Sequence, residues 1–182
     1  MTIFSRDPLA DPETLIRRIY AYVAYRIGDG PDAEDVTSET FERALRYRKS
    51  YDPAKGEPLG WLIGIARRVI AGRGAQRTDI PMGELPDVAS VTSLEEEAVP
   101  RLAISAAVAG LEDRDRELIA LRYGADLSVR QIADLFALRP NAVDVALHRA
   151  RNRLAARLED GEEDDASEID TPAVRIGRRA RY

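Results

Sequence analysis

The chain has no cysteine, a single histidine, one tryptophan and two methionines among its 182 residues. Without cysteine there is no disulfide framework, no thiolate metal site and no thiol nucleophile, and one histidine leaves little for imidazole catalysis. Long apolar runs are missing as well. The longest, such as "LGWLIGIA" at 59–66, fall far short of a bilayer span, and "MTIFSRDPLADPE" has neither the basic start nor the apolar core of a signal peptide. A cytoplasmic protein with no membrane insertion is expected. The chain also lacks a "GxxxxGK[ST]" phosphate loop, histidine–carboxylate metal spacing and any nucleophile with a nearby base. It is therefore expected to be no enzyme and to require no cofactor.

What the chain does have is charge, unevenly placed. Its net charge is −5, yet "EDGEEDDASEID" at 159–170 contains eight acidic residues and no basic one, so the rest of the chain is net positive. Residues 159–182, this run followed by the basic "VRIGRRARY", are expected to form a disordered tail. One role open to such a tail is to act in cis on a basic DNA-binding surface, in competition with DNA.

The periodicity is helical almost throughout, which predicts an all-α fold. Asp11 before Pro12 opens a helix with Leu15, Ile16, Ile19, Tyr20, Val23 and Ile27 on one side, until "GDGP" stops it. A second helix starts near Asp32, with Val36, Thr40, Phe41, Ala44 and Leu45 inward, and a third has Leu59, Leu62, Ile63, Ala66, Val69 and Ile70. Residues 11–77 thus form a first helical domain. Residues 78–92, rich in Pro, Gly, Ser and Thr, read as a flexible linker. A second domain over 93–158 opens on a capping-box spacing at Ser93 and Glu96 and continues through "EDRDRELIALRYG", with Gly124 placed to end that helix in a left-handed conformation. It closes on helix, tight turn, helix: Ser128 and Gln131 repeat the capping spacing, Pro140 fits a first turn, and Val143, Leu147, Ala150 and Leu154 form the inward stripe of the last helix.

Three groups of residues have the chemistry of an interface. Asp32, Asp35, Glu39 and Glu42 give the second helix an acidic side that suits a basic partner surface; the same residues also fit a solvated face with Glu39–Arg43 and Glu42–Arg46 pairs worth about 0.2–0.5 kcal/mol each. Tyr47, Arg48, Lys49, Tyr51 and Lys55 offer π faces and cations that can hold unstacked bases. Arg67, Arg68, Arg73 and Arg77 suit phosphates or simple solubility, while Trp61 has the setting of a core residue. On the last helix Asn141, Val145, His148 and Asn152 lie opposite the inward stripe, with Arg149 and Arg151 beside them. Taken alone, such a helix pair is as readily plain packing as a DNA reader.

In combination, "DAEDVTSETFERALR" at 32–46, "GWLIGIARRVI" at 60–70 and "LEDRDRELIALRYGADLSVRQIADLF…LHRARNRL" from 111 to 154 resemble, in that order, regions 2 and 4 of the extracytoplasmic-function sigma factors of bacterial RNA polymerase. The resemblance implies two small helical domains on a flexible linker and two partners, core polymerase and promoter DNA, with an anti-sigma factor as a possible third. It implies that Asp32, Asp35, Glu39 and Glu42 dock on the polymerase. Tyr47, Arg48, Lys49, Tyr51, Lys55, Trp61, Arg67, Arg68, Arg73 and Arg77 would engage the minus-ten element, where the loop captures a flipped base. Arg130, Asn141, Asp144, Val145, His148, Arg149, Arg151 and Asn152 would engage the minus-thirty-five element.

The chain departs from the family pattern in both domains. Ala137 stands where a turn glycine is common, and "AVDVA" at 142–146 replaces a polar "TVKSR"-like start of the recognition helix; Arg68 occupies a usual asparagine position. Asp144 repels phosphates but can accept from a cytosine amino group, and Val145 and Ala146 can touch thymine methyls. Two further readings stay open: a degenerate sigma-like adaptor with weak promoter reading, and a helix-turn-helix transcriptional regulator using residues 102–158 alone.

Overall fold

The computed structural model describes residues 7–77 and 103–168, and these residues contain helices and turns but no strand. The expected linker, the capping spacing at Ser93 and Glu96, and residues 169–182 lie outside the described residues. Helix α1 spans Pro12–Ile27, with the Asp11 side chain accepting from Thr14 N at 3.3 Å, and it ends at Gly28, whose φ of +97° few other residues adopt. Helix α2 spans Pro31–Arg46. Two short 3₁₀ turns, Arg48–Ser50 and Pro53–Lys55, lead into α3 at Pro58–Arg77. These elements form the first domain.

In the second, α4 covers 103–109 and α5 spans Asp113–Ile119, then continues as a π-type turn over Ala120–Gly124, where Ala125 N–H reaches back to Ala120 O at 2.9 Å. Helix α6 at Val129–Phe136 begins on the expected capping box: Ser128 Oγ accepts from Gln131 N, and Gln131 Oε1 from Ser128 N. Helix α7 spans Pro140–Glu168 and so runs ten residues into the segment expected to be a disordered tail. No described helix is long and apolar enough to cross a membrane.

The inward stripes were largely legible. Ile19 and Val23 of α1, Val36, Thr40 and Ala44 of α2, six residues of α3 and Val143, Leu147 and Ala150 of α7 are buried. Thr37 and Thr40 tolerate burial because each hydroxyl donates to the carbonyl four residues back at 2.7 Å. Ile16, Ile27 and Leu45, expected inside, stand 46%, 38% and 61% exposed, while Tyr22 and Ala33, outside the expected stripes, are fully buried.

The two domains share one core. Ile19, Tyr22 and Val23 pack with Leu62 and Ile63 on one side and with Leu118, Leu121 and Ile132 on the other. Arg18 of α1 reaches across to donate to the carbonyls of Ala125 and Asp126 at 2.7 and 2.9 Å. Gly124 makes this approach possible, for a reason other than the expected one. It is not left-handed; instead, a Cβ there would lie 2.8 Å from Ala21 O and 2.9 Å from Tyr22 Cα. The left-handed residues after α5 and α6 are Asp126 at φ +52° and Ala137 at φ +53°.

Ala137 thus holds the turn of the helix pair in a conformation that costs an L-residue about 1–2 kcal/mol, part of which glycine loses again through its greater freedom in the unfolded chain. Ala137→Gly is expected to raise stability by about 0.5–1 kcal/mol in urea unfolding, and a decrease would contradict the geometry.

Candidate nucleic-acid interface

The helix pair α6–α7 is held by its stripe, so the opposite side of α7 is free. Asn141, Asp144, Val145, His148, Arg149, Arg151 and Asn152 are all exposed, as is Arg130 on α6. Asn152 Nδ2 lies 3.3 Å from His148 Nε2, one turn apart, which orders both polar tips. Asp144 forms no ion pair with a described residue. The helix is anchored to α5 by Arg153, which bonds the buried Asp115; this contact raises the Arg153 pKa, chiefly through the hydrogen bond.

In the first domain, Tyr51, Lys55 and Trp61 come together along a cleft of about 380 Å³. The Tyr51 and Trp61 rings meet at 5.5 Å between centroids, tilted by 57°, and the Tyr51 hydroxyl donates to Gly56 O at 3.0 Å. Trp61 is half-buried against the core and lines the cleft as well, so its packing does not take it out of the site. Tyr47, Arg48 and Lys49 stand exposed beside it, with Arg48 3.6 Å from Asp7 and Lys55 3.8 Å from Asp52. Burial, then the Glu57 and Asp52 charges, raise the Tyr51 pKa, which keeps the phenol protonated.

The arginines of α3 separate into different roles. Arg68 is exposed and forms no ion pair with a described residue, as a phosphate ligand requires. Arg73 turns instead toward α2, 3.3 Å from Glu39 and 3.8 Å from Asp35. Arg67 lies 3.4 Å from Glu117 and over the Phe136 ring at 5.1 Å, both in the second domain. Arg77 sits at the end of α3. On α2 the Glu39–Arg43 pair forms at 2.6 Å, whereas Glu42 is exposed and forms no pair with Arg46. Asp35 is also largely exposed, which leaves an acidic outer edge available to a partner.

Sequence reasoning missed the group around Glu117. The carboxylate is buried between domains, accepts from the Tyr22 hydroxyl at 3.0 and 3.2 Å, and lies 2.7 Å from Arg26 Nε, whose N–H is angled off the carboxylate; Arg26 also pairs with Asp113 at 2.9 Å. Burial, then the Glu117 charge, push the Tyr22 phenol far up. Burial pulls the Arg26 pKa down, but Glu117 and Asp113 outweigh it and the net shift is upward. Every partner of Glu117 lies fifty or more residues away in sequence, so no local spacing signals the cluster. Among the described residues no three acidic or histidine side chains form a group that could hold a metal ion.

This arrangement of helices and exposed residues matches known proteins over most of its length. The model of sigma-70 region 2 covers residues 13–76 and that of sigma-70 region 4 covers residues 101–154. The chain belongs to the sigma-70 family. It is 33% identical over 150 residues to the ECF RNA polymerase sigma factor BldN of Streptomyces coelicolor, covering 78% of this chain and 56% of that one. It is 28% identical over 131 residues to an ECF RNA polymerase sigma factor SigK of a Mycobacterium species, covering 64% and 65%. The chain therefore spans between half and two thirds of the length of these two relatives. Two solved structures share the fold: the sigma factor RpoE in complex with the anti-sigma factor NepR from Bartonella quintana, at 20% identity and TM-score 0.60 over 80% of this chain and 92% of that one, and CnrH in complex with the cytosolic domain of CnrY, at 21% and 0.52 over 81% of each.

The two tyrosine hydroxyls should respond differently to removal. Tyr22→Phe deprives a buried carboxylate of a donor and is expected to cost about 1.5–3 kcal/mol in urea unfolding, while Tyr51→Phe at the exposed loop should cost less than about 0.5 kcal/mol. Equal effects would show that the Glu117 carboxylate is not buried in solution.

Proposed function

We propose that the chain is a non-catalytic specificity subunit of bacterial RNA polymerase, which binds the core enzyme, directs it to promoters and holds the melted non-template strand. The outer acidic edge of α2, with Asp32, Asp35 and Glu42, docks on a basic polymerase surface. The Tyr47–Lys55 loop, with Trp61 and Arg68, holds unstacked bases of the minus-ten element by stacking and phosphate contact. The exposed side of α7 enters the major groove at the minus-thirty-five element, with His148, Arg149 and Arg151 as its polar and cationic anchors. The observation that carries this reading is the joint exposure of Asn141, Asp144, Val145, His148 and Asn152 on a buried-stripe helix, in a chain that matches both sigma-70 regions in order.

Run-off transcription with purified core polymerase and a library of promoter fragments tests it. Transcripts are expected to start downstream of one shared bipartite element. Core association without promoter-specific transcripts would favour the adaptor reading instead, which the unpaired Asp144 at the head of α7 supports. The regulator reading leaves the first domain without a task.

Two substitutions sharpen the assignment. Glu42→Lys, which breaks no ion pair among the described residues, is expected to weaken core association about tenfold at low salt with an unchanged melting temperature. Asp144→Asn removes a charge that repels phosphate and exchanges an acceptor for an acceptor–donor pair. It should raise promoter affinity and move the preference at one minus-thirty-five position from cytosine to adenine; an unchanged selected motif would remove Asp144 from base reading.

A further inference from the structure

Two polar tips on the outward side of α7 touch each other, and the contact fixes which hydrogen the imidazole offers. Asn152 Nδ2 lies 3.3 Å from His148 Nε2. An amide nitrogen only donates, so Nε2 accepts, and the neutral ring carries its proton on Nδ1. Among the described residues no other group bonds the ring, which leaves Nδ1–H to a partner from outside the chain.

Asp144 stands one turn before His148 on the same side, exposed and without an ion pair to a described residue. Residues four apart on a helix have Cβ atoms about 5–6 Å apart, so a bare acceptor and a fixed donor sit side by side. The major-groove edge of a G·C pair offers their complement: acceptors N7 and O6 on guanine, then the amino donor of cytosine. The other three pairs, in the same orientation, each fail. A·T sets the acceptor O4 of thymine against the carboxylate; C·G sets an amino donor against Nδ1–H; T·A puts a methyl group where guanine N7 would be and the acceptor N7 of adenine beside the carboxylate.

We propose that Asp144 and His148 jointly read one G·C pair, His148 donating through Nδ1–H to guanine while Asp144 accepts from its cytosine, and that Asn152 is the positioning residue that fixes the imidazole for this task. This specificity assignment rests on the proposed sigma function. Asn152 lies about 6 Å further along the helix axis than His148, beyond the turns that meet base edges, and acts on recognition through the ring.

His148 is the chain's single histidine, so its ring nitrogens can be read in the full chain without competing signals. In the first arm, long-range proton–nitrogen correlation spectra in mildly alkaline buffer are expected to place the proton on Nδ1, and Asn152→Ala is expected to let it exchange between the two nitrogens. A proton on Nε2 in the unaltered chain, or an unchanged spectrum in Asn152→Ala, overturns the positioning role. In the second arm, holoenzyme assembled from core polymerase and the full chain is offered promoter fragments in which each minus-thirty-five pair is replaced in turn. One G·C pair is expected whose change to any other pair weakens binding about tenfold, a penalty that falls below about threefold in His148→Ala and in Asp144→Ala and takes an intermediate value in Asn152→Ala. The same penalty in all three variants, or different base pairs losing their preference in His148→Ala and Asp144→Ala, overturns the joint reading. Holoenzyme that selects no minus-thirty-five motif overturns the sigma reading and the base assignment together, while the ring spectra still decide the hydrogen bond.

Discussion

The structure depends on one buried carboxylate. Glu117 is removed from water, and an uncompensated ion in that position costs several kcal/mol even after relaxation, more than any single helix contact returns. Among the described residues its own domain supplies no partner. Tyr22 and Arg26 from α1 and Arg67 from α3 do, so the second domain satisfies this buried carboxylate by docking on the first. The apolar contacts of Tyr22, Leu118 and Leu121 surround this cluster and exclude water from it, which strengthens each interaction inside.

Helix positions were legible because α1, α2, α6 and most of α7 bury regular stripes and begin on residues with a clear stereochemical preference: Asp11 before Pro12, Ser128 with Gln131, and Pro140. The local signals failed where a long-range contact decides the outcome. Gly124 looks like a helix terminator in sequence but is selected by the backbone of Ala21 and Tyr22, a hundred residues away. Ala137 takes the left-handed turn that glycine would normally fill, because the packing of α6 and α7 fixes the angle between them.

The candidate site shows the same division. The outward side of α7 and the Tyr47–Lys55 loop could be read directly, since exposure follows from the buried side of each element. The arginines of α3 could not: Arg67, Arg68 and Arg73 look equivalent in a basic stretch, yet one faces Glu117, one faces solvent and one faces Glu39. A quarter turn of helix per residue distributes neighbouring charges to three different environments. Only the tertiary partners tell them apart.

Helix α7 runs without a break from the turn at Pro140 to Glu168. At 1.5 Å per residue this is a strut of about 43 Å, with the DNA-facing turns at one end and the run beginning at Glu159 at the other. Along such a strut the first acidic residues sit roughly 15–20 Å beyond His148, about twice the distance over which physiological salt screens exposed charge. Within the helical span the negative charge is therefore carried at a fixed offset from the reading head. It moves with that head as a lever arm does and cannot fold back to shield it.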